Sequence, residues 1–288
     1  MAFQVRPCRP EDVPSIITWT TDTFSWGDYV PERLPGWLED DDSEVLVCAD
    51  PSERVLALTH VEMLSPREGW LEAARVHPDH RRSGLGKALN YAGVEWARER
   101  GAEVMRLATE ADNEPAIKQV LGLDYRQTSA WLFADWYADE VGRSDEPSLH
   151  EAVGQDADAA WIYWSGTDIY RTGRGLISHG WKWRKARPDD VQHAAERGAL
   201  YQSQAGWVIV EGVPTEDGPG YLRLDWLATT SPGAPTIVEG LMDLAARKGQ
   251  GLNMKIPDLP WTREVLTRAG SGYKEILVFA KPTRARIM

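Results

Sequence analysis

Val76-His-Pro-Asp-His-Arg-Arg-Ser-Gly-Leu-Gly-Lys-Ala-Leu89 is the stretch on which the reading of this chain turns. A strand ends at Val76, a loop with two arginines and two glycines follows, and a helix begins at about Leu85. The first amides of a helix have no intrahelical partner, and the helix dipole favours anions there. Gly84 and Gly86 carry no side chain, so a phosphate can approach their backbone closely. Arg81, Arg82 and Lys87 add charge-assisted donors. These features describe a pyrophosphate cradle. The segment is not a Walker loop, which has a longer glycine spacing ending in Lys-Ser/Thr. It also lacks the third glycine of the dinucleotide fingerprint.

Working outward, the chain alternates strand and helix signals. Pro10, Glu11 and Asp12 suit the first turn of a helix after Arg9. Ser43–Asp50, Arg54–Leu64 and Gly69–His77 read as three strands bounded by turn residues. The helix from Leu85 to Arg100 carries Leu85, Leu89, Ala92 and Trp96 on one face and stops at Gly101. Val104–Thr109 reads as a strand, Glu114–Leu121 as a short helix and Tyr125–Ala134 as a strand. A hairpin meander followed by a strand–helix–strand unit implies an α/β or α+β sheet covered by helices.

The second half echoes the first. Arg6-Pro-Cys-Arg-Pro-Glu-Asp-Val13 is matched by Arg184-Lys-Ala-Arg-Pro-Asp-Asp-Val191, an offset of 191 − 13 = 178. Gly101, Gly122 and Tyr125 are matched by Gly249, Gly270 and Tyr273, an offset of 249 − 101 = 148. Gly69-Trp-Leu is matched by Gly220-Tyr-Leu. One duplication explains the shared order, with 178 − 148 = 30 residues missing from the front of the second copy. The expected domains are 1–140, a connector over 141–182 rich in tryptophan, and a second copy over 183–288.

Arg81-Arg-Ser-Gly-Leu-Gly86 resembles the Gln/Arg-x-x-Gly-x-Gly/Ala signature of the GNAT superfamily of acyl-CoA N-acyltransferases. Val76-His-Pro before it resembles that family too, as do Asn113-Glu-Pro-Ala116 and Leu121-Gly-Leu123 after it. The resemblance covers about residues 3–135 and, more weakly, the second copy. It implies two tandem GNAT-like domains, each a mixed, mostly antiparallel sheet flanked by helices. It implies acetyl-CoA (acyl-CoA) as co-substrate, its pantetheine arm against the backbone near Val76 in a gap where the fourth and fifth strands part beyond that residue. The pyrophosphate would rest on the segment Arg82, Ser83, Gly84, Leu85, Gly86 and Lys87, with Arg81 beside it and Asn113 near the arm.

The chemistry implied is direct attack of an amine on a thioester, which needs a neutral amine and a proton for the leaving thiolate. Glu72, placed on the strand face of Ala74 and Val76 by period-two alternation, is the first candidate for the base. Glu62 and His60 on the preceding strand are alternatives. The tyrosine that many family members carry after Asn-x-x-Ala is absent from Ile117-Lys-Gln-Val-Leu121, and Tyr125 lies in the next strand. The expected acceptor is a small-molecule amine, with protein N-termini or lysines as the alternative. A non-catalytic acyl-CoA sensor and a structural dimerisation protein are the alternatives from other classes.

The second copy's loop, Leu227-Ala-Thr-Thr-Ser-Pro-Gly-Ala-Pro-Thr236, has no Arg or Lys, and Pro232 and Pro235 each remove an amide donor. It is expected not to hold the cofactor, leaving the second copy as a pocket wall or a dimer surface. A formal net charge of −12 argues against a broad nucleic-acid face. No apolar run reaches the ~20 residues that span a bilayer, and the start lacks a signal-peptide pattern. A cytoplasmic protein is therefore expected, as a monomer or homodimer. Cys8 and Cys48 are too few for a metal cluster, and no metal is expected. Of the 14 tryptophans, Trp131, Trp136, Trp161, Trp164, Trp181 and Trp183 are read first as aromatic packing between the copies and second as an aromatic-lined pocket for a hydrophobic or cationic acceptor.

Overall fold

The computed structural model describes residues 2–21, 23, 27–215 and 218–284. It divides into two units. Unit 1 is Met1–Leu107, Val120–Arg126 and Ala280–Met288; unit 2 is Ala108–Gln119 and Gln127–Phe279.

In unit 1 the chain runs β1 (Gln4–Pro7), α1 (Val13–Thr20), α2 (Val30–Leu38), β2 (Ser43–Ala49), β3 (Val55–Ser65), β4 (Glu68–Val76), α3 (Leu85–Glu99) and β5 (Val104–Glu110). The strands lie in that order, antiparallel through β4. β4 and β5 are parallel, with α3 as the crossover. Helix α2 carries no sequence signal of the usual kind because Pro35 lies inside it. Its Val30 and Leu34 are nonetheless fully buried with Ile16 of α1 against Val45, Val47 and Leu58 of the sheet. Burial of that apolar face, rather than helix propensity, holds it. On the opposite face the helix α3 side chains Leu85, Leu89 and Trp96 are buried. Cys8 and Cys48 are both buried, and burial pushes both thiols up to about 12.

Two irregularities of β4 matter for the site. Its pairing with β3 runs Ala57↔Val76 and Leu58↔Arg75, then jumps to His60↔Glu72, with Ala73 at φ 54. Paired residues point to the same face, so this bulge turns Glu72 onto the face of Arg75 and away from that of Ala74 and Val76. The alternation expected from sequence is corrected by one residue. The second irregularity is at β5, whose pairing with β4 consists of Glu68↔Val104, Gly69↔Met105 and Trp70↔Arg106. The strands part after Trp70, six positions earlier than expected. A buried ion pair between Arg106 and Glu68 joins the last of these rungs to the first.

In unit 2, α4 (Glu114–Leu121) begins within the segment 108–119, and β6 (Arg126–Trp136) starts the main part. The chain continues through β7 (His150–Glu151), α5 (Ala157–Ser165), α6 (Asp168–Thr172), β8 (Leu176–His179), β9 (Lys182–Lys185), α7 (Pro188–Glu196), β10 (Leu200–Ser203), β11 (Gly206–Thr215), β12 (Gly218–Thr229), α8 (Ala234–Lys248), β13 (Gly251–Pro257), α9 (Pro260–Arg268) and β14 (Lys274–Pro282). The strand order β7-β10-β11-β12-β13-β6 repeats the plan of unit 1. Here too the pair β12/β13 is parallel, with α8 as its crossover.

The register of the duplication differs from the sequence reading. Arg6–Asp12 and Arg184–Asp190 do form the same local structure, a two-bonded Arg–Asp pair with the Arg9 or Arg187 amide on the same carboxylate. Yet β9 pairs only with β8, in a hairpin of its own. The place of β1 at the sheet edge is taken by β7, followed by a turn in which the Val153 amide donates to Asp156 at 2.9 Å. Matching Asp156 to Asp12 gives an offset of 156 − 12 = 144, close to the 148 of the later anchors. The second copy is therefore not short by 30 residues at its front, and the Arg184 motif is a second use of the same cap. Residues 141–182, read as a connector, supply α5, α6 and β8, and Ala157, Ala160, Trp164, Ile169 and Ile177 enter the unit 2 core. Trp131, Trp136 and Trp164 lie in that same core, Trp183 is buried against Trp131, and Trp181 is 44% exposed.

Candidate active site

The loop after β4 has the backbone that an anion cradle requires. Pro78–His80 form one short turn, and Ser83 Oγ donates to the His80 carbonyl. Arg82 at φ 61 and Gly84 at φ 86 both occupy the left-handed region, and Gly84 caps α3. Left-handed residues alternating with ordinary ones turn successive amides toward one concavity, a nest for an anion. The first helical bond into the turn is Ala88 N–H to the Gly84 carbonyl at 3.1 Å. Arg81, Arg82, Ser83, Gly84 and Lys87 are exposed, Gly86 is half-buried, and Leu85 is buried as the first anchor of α3. A Cβ at Gly84 would meet nothing within 4 Å, so the space over the cradle is open. An open nest, three cationic side chains and an adjoining gap between β4 and β5 fit a pyrophosphate with an extended arm. Val76 stands at the end of that gap, half-buried. Asn113 belongs to unit 2, where its side chain accepts the Ala116 amide at 3.3 Å and caps α4.

The acidic residues gather on the α1/α2 face of unit 1. His60 and Glu62 of β3 and Glu72 of β4 bring one ligand atom each within 4.8 Å of one another. His60 Nδ1 lies 3.1 Å from Glu72 Oε1. The His60 ring is buried, stacks on Trp37 at 4.3 Å and 11°, and its Nε2 has no hydrogen-bond partner among the described residues. A proton on Nδ1 can reach Glu72, so this tautomer makes His60 the donor. Glu72 keeps 15% of its side-chain surface in contact with solvent. Trp70, on the same face, is buried.

Four residues around these acids were not singled out from sequence. Arg75 is bound to Asp28 by two hydrogen bonds, of 2.6 and 3.0 Å, and its guanidinium lies 5.3 Å over the Tyr29 ring. Burial, and then the charge of Glu72, push the Tyr29 hydroxyl up to about 12. Tyr29 and Trp37 meet edge to face at 6.2 Å. The signal available for Arg75 was the bulge, which a sequence alone does not reveal. For Tyr29 and Trp37 it was helix α2, hidden by Pro35. Tyr125 is excluded as an acid by its surroundings: it is buried, raised by that burial, and hydrogen-bonded by Asn90 Nδ2 at 3.1 Å. Lys281 completes that cluster through Asn90 and the Leu123 carbonyl, so the polar group there is structural.

A family model described as the acetyltransferase (GNAT) family matches residues 13–119. Over that segment the chain is similar to the GNAT acetyltransferases. Mycothiol acetyltransferase of Arthrobacter sp. (strain FB24) is 33% identical over 96 residues, 31% of this chain and 29% of the relative. Mycothiol acetyltransferase of Actinosynnema mirum is 26% identical over 133 residues, 43% of each chain. The matched segments thus span less than half the length of these relatives. Among solved structures, a GCN5-related N-acetyltransferase from Sphaerobacter thermophilus is similar over 99% of this chain and 97% of its own, with TM-score 0.65 at 15% identity. A tandem GNAT protein from the clavulanic acid biosynthesis pathway is similar over 99% of both chains, with TM-score 0.59 at 13% identity. At such identities the likeness concerns fold alone, and it runs over nearly the whole chain. No helix among the described residues is long and apolar enough to cross a membrane.

Proposed function

We propose that this chain is an N-acetyltransferase that moves the acetyl group of acetyl-CoA onto a small-molecule amine, with its working site in unit 1. The observation that carries the reading is the open, cationic nest of Arg81–Lys87 at the end of a strand already parted from β5. Arg81, Arg82, Ser83, Gly84, Leu85, Gly86 and Lys87 hold the pyrophosphate, and the β4 backbone up to Val76 aligns the arm. Acetyl-CoA supplies the thioester carbon that the amine attacks. The amine's nitrogen forms the new N–C bond as the C–S bond breaks. Of the three protons on the incoming ammonium, one stays on the amide, one passes to Glu72 and on to water, and the last leaves with the thiol. Glu72 is the base, oriented by His60 Nδ1, and Glu62 shares its surroundings. Asn113 acts at one remove, by capping α4. The second copy binds no cofactor.

Calorimetric titration with acetyl-CoA tests this. One site per chain is expected. Arg81→Glu combined with Lys87→Glu should weaken binding by about 100-fold or more, since each charge-assisted contact is worth about 1.5–3 kcal/mol. These two positions are preferable to Gly84, whose left-handed backbone would strain any substitute. Unchanged affinity in the double variant would overturn the cradle assignment.

A further inference from the structure

We infer that the outward face of α5 in unit 2 is an interface with a second copy of this chain, two α5 helices packing antiparallel about a two-fold axis beside Ile162. This surface stands apart from the acetyltransferase reading and does not depend on it.

The sequence of α5, Ala-Asp-Ala-Ala-Trp-Ile-Tyr-Trp-Ser, is apolar on nearly every side. Its inward face is occupied, with Ala157, Ala160 and Trp164 buried in the unit 2 core. Its outward face is not polar in return. Ile162 is 71% exposed, and Val153, in the turn that leads into the helix, is 54% exposed. Tyr163 is also exposed, with its ring 5.4 Å from that of Trp207. A surface helix ordinarily carries polar side chains on its outer face, and a helix apolar all round is one that is covered. Local propensity does not call for Ile162 either, since a β-branched residue is a poorer helix former than Ala, Glu or Lys.

The charges around this face say what covers it. Asp158, Ile162 and Gly166 are spaced four apart and form one stripe, with about 6 Å of rise between neighbours. Asp158 is exposed in the first turn. Gly166 continues the helical path at φ −86, ψ −12, and its carbonyl accepts a hydrogen bond from Arg171 Nη1 at 2.9 Å. That bond holds an exposed guanidinium at the far end of the stripe. Among the described residues, neither Asp158 nor Arg171 forms an ion pair within the chain. The face thus runs negative, apolar, positive, with Ile162 midway. Reversed end to end, such a face is complementary to itself. In an antiparallel pair, Ile162 meets its own counterpart, and Asp158 of each copy faces Arg171 of the other. A two-fold contact of this kind closes at two copies. Ala159 and Gly166 flank Ile162 with little side chain, so each isoleucine can sit against the other helix. At a formal net charge of −12, two copies repel each other in general, which favours contact at a face carrying both signs.

Sedimentation of the full chain from low micromolar to near-millimolar concentration tests this. A contact built around one nine-residue helix is at the small end of specific interfaces, so a dimer dissociation constant on the order of 10 µM is expected. Ile162→Glu keeps a good helix former but sets two like charges at the axis, and should weaken the dimer by about 100-fold or more. Asp158→Arg and Arg171→Glu should each weaken it by about tenfold at low salt. The two together exchange the ends of the stripe and should return it to within about threefold of the wild type. Unchanged circular dichroism and melting temperature confirm that the variants keep their fold. A wild type that stays monomeric near millimolar concentration, because α5 is bare or serves a different protein, would overturn the inference. So would a dimer that survives Ile162→Glu, or a charge exchange that fails to restore what the single reversals lose.

Discussion

The starts of α3 and α8 occupy the same place in two copies of one plan and do opposite things with their backbone. Before α3, Arg82 and Gly84 lie in the left-handed region, a Cβ at Gly84 would meet nothing within 4 Å, and Arg81, Arg82 and Lys87 flank it in sequence. Before α8, the amides of Gly233 and Ala234 already donate to the Thr230 carbonyl, each at 3.0 Å, and Pro235 has no amide to offer. A Cβ at Gly233 would stand 2.8 Å from both the Ala205 carbonyl and Thr229 Oγ1, so the space over this loop is taken by the protein itself. The sheet order survives in both copies while a few loop atoms decide whether the helix start is open or filled. That is how function separates from fold.

The largest expected effect tests whether charge or backbone makes the difference. The double reversal at Arg81 and Lys87 should cost about 100-fold in acetyl-CoA affinity. The reciprocal graft, Thr230→Arg with Ser231→Arg, should leave the stoichiometry at one per chain, because two amides of the second loop are already bonded and a third is absent. A second site appearing on grafting would show that charge alone separates the copies.

Next in size is the Arg–Asp cap that the chain uses twice. Arg6 and Asp12 retain 7% and 6% of their side-chain exposure, against 28% and 17% for Arg184 and Asp190. Burial alone would raise both aspartates, but the bonds from Arg6 and Arg184 outweigh it and hold both below the ordinary carboxylate range. Asp12→Asn leaves a buried guanidinium with the exposed Glu53 and the Pro7 carbonyl beside it and should cost about 3 kcal/mol; Asp190→Asn should cost about 1 kcal/mol. A depressed carboxyl stabilises above its unfolded pKa and loses that contribution as pH falls through its folded one. The acid limb of wild-type unfolding, below about pH 4, should therefore flatten more in Asp12→Asn than in Asp190→Asn. Denaturant melts from pH 7 to pH 2 measure both, and equal costs would mean that burial does not grade the two caps.

How much of this was legible before folding divides along the same line. The left-handed, cationic loop before α3, the strands and helices that flank it and the lack of cations in the second loop follow from residue types at fixed spacing: glycine for backbone freedom, arginine and lysine for charge, proline for a missing amide. The face of Glu72 did not, because the bulge at Ala73 depends on how β4 settles against β3. Helix α2 was hidden by Pro35, and its Tyr29 and Trp37 with it. The front of the second copy was misaligned because the same Arg-x-x-Arg-Pro cap recurs where the fold needs a turn, and a two-residue strand at His150–Glu151 leaves almost no pattern. Lys281 joins Asn90 across 191 positions of sequence, a pairing no local signal carries.

The two parted strand pairs offer a third contrast. In unit 2 the pairing of β12 with β13 ends at Leu224↔Met254, and the next residues, Asp225 and Lys255, line a cavity of about 10 Å³ closed by Trp131, Trp164 and Trp226. Lys255 is 4% exposed, its Nζ donates to Asn253 Oδ1 at 2.9 Å, and Phe133 and Trp181 lie 4.8 and 4.9 Å away. Burial, reinforced by Arg223, lowers its pKa to about 8. A lysine lowered on folding binds fewer protons in the folded state between about pH 8 and its ordinary 10.5, so its penalty is full below that window and fades as pH rises through it. Lys255→Met should therefore stabilise unit 2 by about 1–3 kcal/mol at pH 7, with the gain shrinking toward pH 10. Thermal melts at pH 7 and pH 10 check it, and a gain independent of pH would show that packing, not charge, was at stake.

The smallest expected effect lies at the far ends of α3 and α8, where Gly101 and Gly249 were the anchors that revealed the duplication. Gly249 sits at φ 64, ψ 31, near the ordinary left-handed basin, and a Cβ there would meet nothing within 4 Å. Gly101 sits at φ 97, outside that basin, and its Cβ would press on the Pro66 carbonyl at 3.2 Å. Asparagine tolerates the left-handed basin better than most residues. Gly249→Asn should thus cost no more than about 0.5 kcal/mol, and Gly101→Asn about 1–2 kcal/mol. Urea melts of the two variants at one pH resolve a difference of that size. Equal costs would mean that the two glycines are kept for the same left-handed turn alone, and that the approach of Gly101 to Pro66 relaxes without penalty.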